Sequence, residues 1–149
     1  MARPRMLEAA LLATPDDTEA QFYEALQHAD LEHLMAVWAE DDDIACVHPG
    51  GTRLLGSAAV RAGFEQLFGQ GAIDTRPVQV RRVQTAHFAV HHVVEQVRMV
   101  TSQGTQIGHV LATNVYVKTL QGWRLLTHHA SPGSGLELHD SGELPAVLH

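Results

Sequence analysis

FAVHHVVEQVRMVTSQGTQIGHVLATNVYVKTLQGWRLLTHHAS, residues 88–131, is the stretch that decides the fold. Its apolar residues recur with period two, and β-branched types dominate. Ser102-Gln103-Gly104-Thr105 and Leu120-Gln121-Gly122 interrupt it as hairpin turns. The spacing predicts strands over about 88–101, 106–119 and 122–131, with one more over 78–86 ahead of them. Long strands joined by such short turns make a strongly curved antiparallel meander.

Upstream the period changes. Pro15-Asp16-Asp17-Thr18-Glu19 reads as a helix start, with acids where they complement the helix dipole. Phe22, Leu26 and Tyr23 fall towards one face of that helix. Ala29-Asp30 breaks it, and Asp30 can cap a second helix whose Leu31, Leu34, Met35 and Trp38 form a buried stripe. Ile44 to His48 is a short strand ended by Pro49-Gly50-Gly51, and Leu54-Leu55-Gly56 is a brief extended piece. Ser57 can cap a third helix, Ala58 to Phe68, carrying Val60, Phe64, Leu67 and Phe68 inward. The expected architecture is α+β: about three N-terminal helices packed on one face of a cone-shaped, curved antiparallel sheet. The mouth of such a cone is a natural pocket. The expected organisation is a flexible segment over 1–14, one domain over 15–132 and a flexible tail over 133–149.

Composition limits the partners. The 149 residues suit one domain, and 45% are hydrophobic, enough for a packed core. The formal charge is −7, and Arg81-Arg82 is the longest basic run. Nucleic acid and anionic membrane are therefore poor partners. No run approaches the ~20 apolar residues of a membrane span. The apolar stretch within Met1 to Ala13 is too short and too charged for a signal-peptide core. One cysteine, Cys46, excludes an intrachain disulfide. A cytoplasmic protein is the expectation.

Eleven histidines are the unusual feature, and several sit inside apolar strand patterns. Ile44, Cys46 and His48 share one strand face, which brings both Cys46 and His48 to the pocket if that face is inward. Cys46 is expected to be an inert structural thiol. Asn114 sits among Leu111, Ala112, Val115 and Val117, where an amide needs partners if buried. His128 and His129 point to opposite faces. Counting from Trp123 puts His129 with Leu125, Thr127 and Ser131, and so into the pocket. The same logic separates His91 from His92 without choosing between them. Trp38 and Tyr116 are further expected lining residues. No CxxC, HExxH or His-x-His motif occurs, so no metal and no cofactor are expected. The one metal arrangement open to the sequence is a spatial convergence of His48, His109 and His129. Apolar Leu126 and Ala130, beside Arg124 and His128, are expected on the opposite face, and covering that face calls for a homodimer.

The order and spacing of Phe22 to Leu31, Met35 to Asp42, Val47-His48-Pro49-Gly50-Gly51, Leu55-Gly56-Ser57 and Gly122 to Ser131 resemble the SnoaL-like branch of the nuclear transport factor 2-like superfamily. That superfamily includes ketosteroid isomerase. The closing strand is also similar to the association domain of calcium/calmodulin-dependent protein kinase II. The resemblance spans roughly residues 18–132. It implies a cystatin-like cone, frequent dimers and a deep pocket. In the isomerase the general base is an aspartate directly before a proline, and His48 stands at the matching place, before Pro49. A histidine suits general acid/base work near neutrality. The isomerase's oxyanion tyrosine matches Phe22, which has no hydroxyl, and its second oxyanion group matches Asn114. Two residues are inserted between Trp38 and His48 relative to that enzyme. The resemblance thus implies a pocket for a small, largely apolar molecule. Two readings stay open: acid/base chemistry of isomerase, dehydratase or cyclase type at His48, and a non-catalytic binding or dimerisation module.

Overall fold

A computed structural model describes residues 9–40 and 42–133. The expected flexible tail lies outside these residues except for Gly133, as does the first part of the expected flexible N-terminal segment. A 3-10 turn over Ala9–Leu12 lies against the last strand, and Leu12 is wholly buried, so the packed body starts before residue 15.

Helix α1 spans Pro15–Gln27. Thr14 caps it reciprocally: its hydroxyl accepts from the Asp17 amide at 3.0 Å, and its own amide donates to the Asp17 carboxylate at 3.1 Å. Helix α2, Leu31–Val37, is capped by Asp30, which accepts from the His33 amide at 3.0 Å. Helix α3 spans Ser57–Phe68. Ser57 was the expected cap of α3, yet it is the first helical residue and Gly56 holds the cap position. Gly56 has a φ of 85°, a conformation that side-chain-bearing residues rarely adopt. The backbone sets this turn, since the Gly56 amide donates to the Ile44 carbonyl at 2.9 Å.

Six strands follow the order β2-β1-β6-β5-β4-β3 in one curved sheet. They are β1 (Ala45–Val47), β2 (Arg53–Leu55), β3 (Thr75–Gln84), β4 (Phe88–Thr101), β5 (Gly104–Thr119) and β6 (Gly122–Pro132). The long strands form the expected antiparallel meander. The two short pieces extend it, and β1 pairs with β6 in parallel, making the sheet mixed.

Two irregularities set which side chains face inward. Between β3 and β4 the register slips at Val78. Between β5 and β6, Val115 pairs with Thr127 but Tyr116 pairs with Leu125, which leaves Leu126 as an extra residue. A bulge of this kind shifts the alternation by one. The helices cover the concave face. Phe22, Trp38 and Phe64 meet there edge to face, with ring centroids 6.4 and 6.5 Å from Phe22. Leu34, Val37, Ile44, Val60 and Leu125 complete the core around them.

Candidate functional site

A single row of inward residues crosses four strands. His91 on β4 pairs with Asn114 on β5, Asn114 with His128 on β6, and His128 with Cys46 on β1. Helix α1 lays Glu19 and Tyr23, four residues apart and so on one face, over that row. All of these groups are buried, and burial without partners would be costly. The partners are there. The Glu19 carboxylate accepts from His91 Nδ1 at 2.8 Å, from the Tyr116 hydroxyl at 2.7 Å and from Asn114 Nδ2 at 3.4 Å. Asn114 Nδ2 also donates to the Tyr23 oxygen at 3.1 Å, and Tyr23 donates to Glu95 at 2.6 Å. Asn114 Oδ1 lies 2.6 Å from His128 Nδ1. Asn114 therefore joins both carboxyl groups and His128 in one network.

Beside this network a cavity of 320 Å³ opens between α1, α3 and the sheet. Its walls are mainly apolar, from Leu26, Phe64, Leu67, Ile73, Val97 and Val110. Its polar groups are His48, Thr75, Glu95 and His128. Their environment shifts them in different directions. Burial pushes the Glu95 carboxyl up from 4.5 to about 7, with the nearby Glu19 adding to the rise and the Tyr23 hydrogen bond opposing it. Burial lowers His48 below the usual imidazole value. His128 falls from 6.5 to about 3, through burial first and then the neighbouring His48 and His129. The Tyr23 hydroxyl is held well above its ordinary value by burial and by Glu95.

The expected site residues divide around this cavity. His48 lines it, half-buried, with its ring edge-on to Phe64 at a centroid separation of 4.8 Å. Its Nε2 lies 3.8 Å from the Cys46 sulfur. Cys46 is wholly buried, and burial followed by Glu95 pushes its thiol up to about 12, so it rests as a thiol. Asn114 and Tyr116 stand behind the cavity in the polar network rather than on its wall. Trp38 packs in the aromatic core and borders a separate hollow between α2 and α3.

His129 is a correction. It is exposed on the outer sheet face, and its neighbour His128 takes the cavity position. The count from Trp123 fails because it runs through the bulge at Leu126. The same shift turns Ala130 inward with His128, so neither lies on the outer face expected to need cover. Between the adjacent pair on β4, His91 is the inward one and His92 the exposed one.

Phe22 is buried in the aromatic core, and the buried hydroxyl on this part of α1 belongs to the next residue. Tyr23 also faces inward and meets both Glu95 and Asn114. Sequence reasoning missed Glu19, Tyr23, Glu95 and His128. Glu95 had a readable signal: it is an acid within Val93-Val94-Glu95-Gln96-Val97, where every other inward position is apolar.

Asp16, Glu19 and His91 form a trio of metal-ligating types within 4.8 Å of one another. The ring geometry does not suit a shared ion. Glu19 meets Nδ1 of His91, Asp16 is 4.0 Å from Nε2, and Asp16 pairs with Arg82 at 2.7 Å. The two carboxylates thus sit against opposite ring nitrogens. The convergence of His48, His109 and His129 does not form either, since His48 lines the inner cavity while His129 sits on the outer face. Among the described residues no helix is long and apolar enough to cross a membrane.

Fold and site together define a cystatin-like domain with a buried polar network under its first helix. The chain belongs to the SnoaL-like family, whose domain model matches residues 16–134. A candidate calcium/calmodulin-dependent protein kinase type II association domain from Thiobacillus denitrificans is 37% identical. That match covers 83% of this chain and 98% of that one, with a TM-score of 0.76. A candidate dehydratase of the nuclear transport factor 2-like family from Streptomyces avermitilis is 28% identical over 82% of this chain and all of that one, at a TM-score of 0.72. A ketosteroid isomerase-like protein from Erwinia carotovora shares the fold at a TM-score of 0.69 and 15% identity, covering 85% of this chain and 96% of that one. No curated protein matches the chain.

Proposed function

We propose that the protein binds a small, largely apolar molecule in the 320 Å³ cavity and carries out acid/base chemistry on it, with His48 as the proton-accepting group. The observation that supports this most is the pairing of apolar walls with two proton carriers moved in opposite senses. Burial lowers His48, so it is a neutral base at neutral pH. Glu95, raised to about 7, keeps a large protonated fraction there. A neutral base beside a carboxyl that still holds its proton suits proton removal beside a carbonyl, or removal of a proton and a hydroxyl as water. In the second case His48 takes the carbon-bound proton, the C–O bond breaks as the double bond forms, and Glu95 protonates the departing hydroxyl. The Streptomyces relative described as a dehydratase fits that class.

The test begins with a molecule carried through purification and identified by mass spectrometry. Its turnover is then compared between the wild type and His48→Ala. A loss of about 100-fold or more, with affinity retained, supports the reading. Unchanged turnover removes His48 from the chemistry.

The second reading is a non-catalytic binding or assembly module. The 37% identity to an association domain favours it. Binding without turnover by either protein would establish it. In both readings we propose a homodimer formed through the outer sheet face, where Val94 and Leu111 floor a groove of 360 Å³ between Arg81, His92 and His129. A monomeric mass in sedimentation at micromolar concentration excludes the dimer.

A further inference from the structure

Hydrogen-bond direction in the buried network can be traced from one end to the other. The Glu19 carboxylate oxygen faces three donor positions, His91 Nδ1, the Tyr116 hydroxyl and the Asn114 amide. That oxygen, already taking the Tyr116 hydroxyl hydrogen, acts as an acceptor towards the group beside it. The side of the Asn114 amide turned to it is therefore the NH₂ group. The carbonyl oxygen of Asn114 is then turned the other way, 2.6 Å from His128 Nδ1. A carbonyl accepts too, so His128 Nδ1 carries the proton. Burial keeps this imidazole neutral, and a neutral ring has one N–H. His128 Nε2 is left as a bare lone pair.

That lone pair is free for a ligand. Nε2 makes no hydrogen bond among the described residues. It is also absent from the enclosed, unpaired polar atoms, although His128 lines the cavity. The rest of the polar lining has a similar character. Glu95 offers a carboxyl group, His48 an imidazole and Thr75 a buried hydroxyl oxygen with no protein partner. No lysine or arginine among the described residues lines the cavity. Such a lining is rich in acceptors and has no fixed cation. An anionic ligand would be desolvated there with nothing to pair it.

We propose that the ligand is a neutral molecule bearing a hydroxyl group, which donates its hydrogen to His128 Nε2, and that Asn114 is the positioning residue that fixes this acceptor. The inference rests on the cavity being the ligand site. It adds what the ligand must present: an alcohol or phenol hydroxyl, for which an ether or a ketone is no substitute. A buried acceptor left unpaired by the wrong analogue is what produces the selectivity.

Two measurements test this. The first is calorimetric titration with 2-naphthol and its methyl ether, 2-methoxynaphthalene, on the wild type and on His128→Phe. The naphthol is expected to bind the wild type ~10-fold more tightly than the ether, as one hydrogen bond allows. The preference should vanish in His128→Phe. The second is the ¹⁵N imidazole spectrum of the unliganded wild type, assigned by the signals that His128→Phe removes. Nε2 should resonate as the unprotonated nitrogen, and Asn114→Leu should release the ring to a mixture of tautomers. An unprotonated Nδ1 in the wild type overturns the proposal even if Asn114→Leu fails to fold, because that variant enters neither the assignment nor the wild-type pattern. Equal affinity for the two probes overturns it alone and leaves the cavity as a ligand site. Binding of neither probe overturns it together with the reading it rests on.

Discussion

On the same strands, two rows of side chains lie back to back. The inner row runs His91, Asn114, His128, Cys46, and every member is buried. The outer row runs Arg81, His92, Thr113, His129, and both of its histidines are exposed. Chemically the rows are alike, each with two histidines and a hydrogen-bonding side chain between them. Their energetics differ because water can replace any partner in the outer row and none in the inner one. The inner row also has α1 above it, where Glu19 and Tyr23 complete its hydrogen bonds. A strand sequence alone does not reveal which row has such cover.

The largest expected difference between the rows is at their shared strand β5. Asn114→Leu leaves Glu19, Tyr23 and His128 each short of a partner in the interior. Losing several buried partners at once should cost about 3–5 kcal/mol. The neighbouring outward change, Thr113→Ala, should stay within ~0.5 kcal/mol. Urea denaturation of the two variants measures the contrast. If Asn114→Leu costs less than about 1 kcal/mol, the inner row is no more demanding than the outer.

The next effect is a pH slope. In the folded chain Glu95 sits at about 7 against its ordinary 4.5, so the folded state holds this proton more tightly than the unfolded state. The stability it contributes is complete below 4.5 and is lost as pH rises through about 7. Its size is on the order of 3 kcal/mol. His128 runs the other way. Its folded value of about 3 lies below 6.5, so its contribution is present above 6.5 and is lost as pH falls towards 3. The two slopes oppose each other between 4.5 and 6.5, and above that window Glu95 acts without His128. Glu95→Gln keeps an acceptor for the Tyr23 hydroxyl and removes the titration. Between about pH 6 and about pH 8 the urea midpoint should fall slightly in the wild type and rise in the variant, where the last of the His128 contribution arrives unopposed. An equal fall in both would assign the slope to another group.

Much of the fold could be read in the sequence because its signals are local. The period-two runs, the glycine turns at Gly104 and Gly122, and the acids beginning α1 act within a few residues of each other. The parallel pairing of β1 with β6 has no local signal, since it joins segments about eighty residues apart. The site was legible in part for the same reason. His48 before Pro49 is a local feature, and His48 does line the cavity. The network over β5 depends on Glu19 reaching His91 across 72 positions and Tyr116 across 97, which no spacing rule expresses. The face of His128 turns on one bulged residue, Leu126, and adjacent Leu125-Leu126 and His128-His129 pairs leave the strand's own alternation ambiguous there.

The smallest expected effect tests that bulge most directly. If Leu126 resets the alternation, His129 belongs to the outer face, and His129→Ala exposes nothing and leaves no buried atom unpaired. Its cost should lie within ~0.5 kcal/mol, and affinity for a cavity ligand should not change. If the strand instead kept strict alternation from Trp123, His129 would hold the place of His128. The same substitution would then empty a buried site and strip Asn114 of a partner, at a cost of about 2–3 kcal/mol. Thermal melts of His129→Ala under conditions where the chain is monomeric distinguish these outcomes, because any contact through the outer face is absent there. A near-zero shift fixes the inward histidine as His128, on which the proton direction through Asn114 depends.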